Sequence, residues 1–350
     1  MYQSPVRQPG LRLHLNENSA GCSPRVLEAI RSLTPSDIAS YPDYSAATTR
    51  VEQYMDVLPG WVQLVNGLDE GLHVAAGSVA TRKKTSGGFF GGKATRRLFR
   101  AVVPEPAFEM YAICADAVGL DVVRIPPAPD FVFPLDEIIN AARESAIVYL
   151  TDPNNPTGLG IPAGAVDTIA ASAPDTLILV DEAYADFSGR TLIGPLLDRR
   201  RNVIVGRTFA KGHGLAALRI GALIAHPETL APIRDILPPF SLNIAAITAL
   251  TAALDDEEWL SAHVQEALES RARITEWARS RGFTTWPSEA NFVLVRVGDQ
   301  ASALVEQLAT RQIYIRDRSS APGCAGCVRV TAGTRAATDA CLAAMEDILA

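Results

Sequence analysis

Short apolar runs without strict alternation recur through the middle of the chain: "AIVYL" (146–150), "TLILV" (176–180), "NVIVG" (202–206) and "IGALIA" (220–225). Strands buried on both faces read this way, because neither face calls for polar positions. Helix-compatible stretches separate them, and that rhythm predicts an α/β unit with a largely parallel sheet. After about residue 255 the pattern changes. "SAHVQEALESRARITEWARSRG" (261–282) predicts a long amphipathic helix, with Val264, Leu268 and Ala272 at i+4 steps and Gly282 as its stop. "NFVLVRV", "IYIRD" and "CVRVT" then read as short strands around the helical "ASALVEQLATR", a smaller α+β unit. The expected organisation is an N-terminal segment (1–40) packing with the small domain, a large domain (41–255) and a small C-terminal domain (256–350). Two domains also suit 350 residues, because single cores stop growing at about 250–300.

One stretch breaks the rhythm. "GSVATRKKTSGGFFGGKATRRLFRA" (77–101) holds three of the four lysines and two Gly pairs, and predicts a flexible basic insertion. The net charge of −7 nevertheless argues against a general nucleic-acid surface. No run approaches the roughly 20 apolar residues of a membrane span, and the N-terminus has no apolar signal region, so a cytoplasmic protein is expected. Five cysteines, an odd number in a long chain, fit reduced thiols. Cys324 and Cys327 form a lone CxxC without a second ligand pair, which reads as small apolar filling rather than a metal site.

Lysine occurs only at Lys83, Lys84, Lys93 and Lys211, while arginine supplies every other fixed positive charge. An amine can lose its proton when desolvated and attack a carbonyl, whereas a guanidinium stays charged. Lys211, in the Gly-rich and apolar "RTFAKGHGLAALRIG", is therefore a candidate Schiff-base residue. Asp181 follows a buried strand in "LILVDEAYADF", where a carboxylate can hold a ring nitrogen in its protonated form, as a pyridoxal cofactor requires. Tyr184 adds a phenolic donor three residues on. "YLTDPNNPTG" presents the amide of Asn155 at another strand end, where ligands of parallel sheets gather.

"DPNNPTG", "VDEAYADF" and "RTFAKGHGLAALRIG", in this order and spacing, resemble the fold-type I pyridoxal-phosphate aminotransferases of class I/II. "LHLNEN", "YPDY", "NGLDEGL", "PEPAFEMY", "NFVLVR" and "IYIRDRSSAPGCAGCVRVTAGT" narrow the resemblance to the histidinol-phosphate aminotransferase branch, from about residue 11 to the C-terminus. The resemblance implies a mainly parallel seven-stranded sheet flanked by helices. It implies that Lys211 bonds pyridoxal 5'-phosphate, that Asp181 pairs with the pyridine N–H, and that Asn155 and Tyr184 bind the phenolic oxygen. Phe108 would stack on the ring. Leu68 and Asp69 would offer backbone N–H groups to the phosphate at a helix N-terminus, with Thr208, Arg219 and, from the neighbouring subunit of a homodimer, Tyr41. Arg329 and Arg316 would hold the substrate's anionic group, as a forked guanidinium suits carboxylate or phosphate.

Two positions depart from the branch. Ala210 stands where serine commonly precedes the lysine, and Ala20 stands where a tyrosine commonly reaches the substrate. The expected reaction is transamination between a primary amine, either histidinol phosphate or an amino acid such as an aromatic one, and a 2-oxo acid such as 2-oxoglutarate. Decarboxylation of the threonine-phosphate decarboxylase type is the alternative on the same cofactor residues. A non-enzymatic cofactor-binding homologue is a third, against which Lys211, Asp181 and Arg329 argue.

Overall fold

The computed structural model describes the backbone of residues 9–86 and 99–350. Thirteen strands follow in chain order: β1 (Leu11–Arg12), β2 (Val62–Val65), β3 (Arg100–Pro104), β4 (Asp121–Ile125), β5 (Ile147–Thr151), β6 (Leu177–Asp181), β7 (Val203–Thr208), β8 (Gly221–Ile224), β9 (Thr284–Thr285), β10 (Phe292–Arg296), β11 (Ile313–Tyr314), β12 (Arg316–Asp317) and β13 (Cys327–Thr331). Seven form one sheet in the order β2-β8-β7-β6-β5-β3-β4. Only β8 runs against the other six, through antiparallel pairing with β2 and β7. All four apolar runs read from the sequence lie in this sheet.

Alternation along β5 explains why the sheet is covered on both sides. Val148 and Leu150 enter one apolar core, Ile147 and Tyr149 the other. Between the carboxyl ends of β5, β6 and β7 a crevice opens. Thr151 and Asp181 lie in register there, Asp181 sits opposite Gly206, and Lys211 follows three residues after β7 ends.

A four-stranded antiparallel sheet, β12-β13-β10-β9, carries the C-terminal strands, and β1 pairs in parallel with β11. The chain just after β1 continues across this second sheet: Thr331 N–H donates to Leu13 O at 3.0 Å, and Asn291 Nδ2 donates to Asn16 O at 3.2 Å. Farther along, the helix Pro24–Arg31 turns away and packs on the helix Ile244–Leu254, beside the large sheet.

Two expectations need correction. Residues 77–86 are not loop: they continue the helix Gly67–Ser86, with Val79 and Ala80 packed on the core, and residues 100–101 open β3. No helix breaker occurs in "SVATRKKTS", so helical hydrogen bonding propagates through it. The remainder of the predicted insertion lies outside the described residues. The long C-terminal helix spans Glu257–Ser280, with Gly282 left-handed after it (φ 74°). Its buried stripe is His263, Ala267, Ser270, Ile274 and Ala278, whereas Val264 and Leu268 are half-buried and Ala272 is exposed. Small and polar residues carry this stripe, so apolarity alone selected a row one position round the helix.

Candidate active site

The crevice is a cavity of about 470 Å³. Lys211, Asp181, Tyr184, Leu68, Asp69, Phe108, Asn155, Thr208, Arg219, Arg316 and Arg329 all line it. Residues separated by as many as 261 positions therefore converge, because β2, β3, β5, β6 and β7 end at one edge of the sheet and β12 and β13 approach from the other side.

Asp181 is buried at the end of β6. Its Oδ2 accepts from Tyr111 Oη at 2.7 Å and its Oδ1 from Ala183 N–H at 2.9 Å. Burial raises its carboxyl to about 6, against the pull of those two donors. Lys211 Nζ donates to Leu15 O at 2.9 Å, and burial, with Arg329 nearby, lowers the amine to about 8. A lysine in this state is about one-tenth free amine at pH 7, far more than an ordinary lysine, and nucleophilic or proton-transfer chemistry needs that form. Tyr184 is buried, and its hydroxyl accepts from Asn16 Nδ2 at 2.9 Å.

An anion cradle lies at the start of the helix Gly67–Ser86. Gly67 adopts a left-handed φ of 71°, and a Cβ there would lie 2.5 Å from Arg219 Nη2. Arg219, itself left-handed (φ 53°), donates to Asp69 Oδ2 at 3.0 Å. Thr208 Oγ1 accepts from Ala210 N–H at 3.2 Å, so at the Ala210 position the backbone meets the hydroxyl. Glu70 accepts from Asn66 N–H at 2.6 Å at the same helix start, and the N–H groups of the first turn beside a guanidinium suit a phosphate. Together the buried carboxylate, the depressed amine and this cradle form a donor set that fits pyridoxal 5'-phosphate.

The opposite wall is cationic. Arg316 and Arg329 are register partners across β12 and β13, so both side chains leave the same face of the sheet. Arg329 is buried; it donates to Asn155 Oδ1, and at 2.7 Å to His14 O. It has no carboxylate within 4.0 Å among the described residues, and its Nε is without a partner. Desolvation lowers it to about 10. Arg318 lies at the same wall but is already paired with Glu109 at 2.8 Å.

Two expected residues stand apart. Ala20 is exposed and outside the cavity wall, its N–H held by Asn18 Oδ1 at 2.9 Å in a turn that points it outward. Tyr41 is 79 % exposed and stacks on Phe240 at 4.3 Å, away from the cavity of its own chain. Sequence reading missed Asn16, which holds Tyr184, Tyr111, which holds Asp181, and Thr151, which holds Tyr111, as well as Arg12, His14 and Arg318 on the cationic wall. Asn16 and Tyr111 lie inside "LHLNEN" and "PEPAFEMY", and Tyr111 follows Phe108 by one helical turn. That spacing was the available signal.

The family model described as "Aminotransferase class I and II" matches residues 8–345. The chain is 33% identical to histidinol-phosphate aminotransferase 2 of Rhizobium meliloti over 99% of this chain and 95% of that protein. It is 32% identical to the histidinol-phosphate aminotransferase of Halalkalibacterium halodurans, over 97% and 89%. A solved histidinol-phosphate aminotransferase from Sinorhizobium meliloti, in complex with pyridoxal-5'-phosphate, superposes with a TM-score of 0.83 at 28% identity, covering 98% of this chain and 91% of that one. L-threonine-O-3-phosphate decarboxylase from Porphyromonas gingivalis shares the fold (TM-score 0.78, 20% identity, 96% and 98% covered). The chain belongs to the class I and II aminotransferases, within the histidinol-phosphate aminotransferase-like branch, and is a pyridoxal-phosphate-dependent aminotransferase.

Proposed function

We propose that this enzyme moves an amino group from a primary amine that carries an anionic group, histidinol phosphate or an amino acid such as an aromatic one, to a 2-oxo acid such as 2-oxoglutarate. The observation that carries this reading is the Arg316–Arg329 pair: two guanidiniums in register on one face, one of them buried with no carboxylate within 4.0 Å among the described residues. Like charges opposite each other are unfavourable, and a buried unpaired cation more so, unless an anion joins them.

Asp181 would hold the cofactor's ring nitrogen and Phe108 its face. Tyr184 and Asn155 would hold the phenolic oxygen, Asn155 through Nδ2 because its Oδ1 serves Arg329. The backbone N–H groups of Leu68 and Asp69, with Thr208, Arg219 and the partner subunit's Tyr41, would hold the phosphate. Bound there, pyridoxal phosphate supplies an electron sink. Lys211, as a free amine, would move the proton from the substrate carbon that bears nitrogen. Five unpaired cysteines support the cytoplasm as its compartment.

An amine-donor panel tests the reading, scored by the absorbance change of the bound cofactor and by oxo-acid-dependent turnover. Donors that carry a phosphate or a carboxylate should turn over, and Arg329→Gln should abolish their selection. Carbon dioxide release that needs no oxo acid would replace this reading with the decarboxylase chemistry. In Lys211→Ala the cofactor band of the wild type should disappear; persistence unchanged would remove Lys211 from its role.

A further inference from the structure

We propose that Tyr111 is a positioning residue that, through a directed hydroxyl chain from Thr151, keeps Asp181 ionised against the cofactor's ring nitrogen. The inference rests on the proposed pairing of Asp181 with that nitrogen.

The geometry fixes the direction of the chain. Tyr111 Oη lies 2.7 Å from Asp181 Oδ2 and 2.8 Å from Thr151 Oγ1. A phenol has one proton, and an ionised carboxylate only accepts. Tyr111 therefore gives its proton to Asp181 and must accept from Thr151, and each bond polarises the next. Ala183 N–H occupies the other oxygen of Asp181, so both oxygens are aimed by donors that stabilise the charged form. Burial works in the opposite direction, and Asp69 adds to it, while Lys211 offsets it. Tyr184 and the stacked Tyr149 are the further titratable groups that face Tyr111. The carboxyl stands at about 6 with the Tyr111 bond in place, and loss of that bond would move it further up, toward neutral pH.

The phenol cannot turn away. Its ring is fully buried, stacks on Tyr149 at 5.3 Å with 14° between planes, and meets the edge of Phe108 at 5.8 Å. Tyr149 is fixed in turn by donating to Leu72 O at 3.1 Å. This packing also makes Tyr111→Phe a clean deletion: the ring contacts remain and one hydroxyl goes.

The test measures cofactor affinity by absorbance titration of the full chain, with pyridoxal phosphate and with its N-methyl derivative, whose ring nitrogen is permanently positive. For the ordinary cofactor, Tyr111→Phe should weaken affinity about tenfold, the loss expected for one hydrogen bond to a charged group. For the N-methyl derivative, variant and wild type should agree to within about twofold, because the ring charge no longer depends on the carboxylate and itself restores ionisation. In turnover, kcat should fall with KM for the amine unchanged, and the acid limb of the kcat profile should move to higher pH. Thr151→Val should show the same signs more weakly, and serves if Tyr111→Phe fails to fold. Asp181→Asn separates the two levels: no effect of Asp181→Asn on ordinary cofactor binding removes the pairing itself. A large effect there, with Tyr111→Phe equal to wild type or equally impaired with both cofactors, overturns the role of Tyr111 alone.

Discussion

A lysine among arginines marks the chemistry, and its protonation has a measurable consequence for stability. The folded amine of Lys211 lies at about 8, below its ordinary value of 10.5. The unfolded chain therefore binds that proton more tightly, the burial penalty is fully present below about pH 8, and stability rises with pH between the two values. Over that window the cofactor-free wild type should gain about 3 kcal/mol relative to Lys211→Met. Denaturant titration of both at pH 7 and 10 checks this, and parallel curves would refute it. Arg329 carries the complementary conflict, since burial with no carboxylate within 4.0 Å among the described residues costs stability, while the proposed function gives it the substrate's anionic group. Arg329→Met should raise KM for an anionic amine by at least about 100-fold, yet leave the melting temperature of the cofactor-free protein no lower than wild type. Lys211 and Asp181 were legible as candidates because each is a charged residue beside an apolar strand, whereas Arg329, inside β13, was singled out by the family resemblance alone. Tyr111 and Asn16 were not legible, because an aromatic residue and an amide within apolar surroundings read equally well as core or loop until their partners, Asp181 and Tyr184, are located.

Elements were legible where composition and burial coincide. Strands β5, β6 and β7 are apolar on both faces and announced themselves. The helix Glu257–Ser280 was found but its inward face was not, because His263 and Ser270 lie buried in the stripe. Two substitutions distinguish the faces. Ala272→Glu should change unfolding free energy by less than about 0.5 kcal/mol, whereas Ile274→Ala should cost about 2–5 kcal/mol. At the start of the helix Gly67–Ser86, the left-handed glycine and the close approach of Arg219 leave no room for a side chain. Gly67→Ala should displace that guanidinium, cost about 1–2 kcal/mol of stability and weaken the cofactor through its phosphate, leaving the amine preference intact. A fluorescence titration with cofactor reads the first effect, and the donor panel reads the second.

At the scale of the whole molecule, the cavity has one expected ligand that its own chain does not bring. Tyr41 and Phe240 form an exposed stacked pair, and Ile38 and Leu58 add further exposed apolar surface from the N-terminal half of the chain. A two-fold pair of copies would bury such a patch and could carry Tyr41 of each chain to the phosphate cradle of the other, as a self-complementary interface requires. The sequence supplied Tyr41 by resemblance alone, since periodicity cannot show which chain a residue serves. Complementation decides it. Lys211→Ala lacks the amine in its own cavity, and Tyr41→Ala lacks the phenol it lends. If the phenol crosses, a mixed dimer holds one cavity with both groups and one with neither. Random assortment makes half of the dimers mixed, so unfolding and refolding the two variants together should restore about a quarter of wild-type activity above the residual of either alone. A tyrosine that served its own chain would give no such gain, because every cavity would then lack either its amine or its phenol.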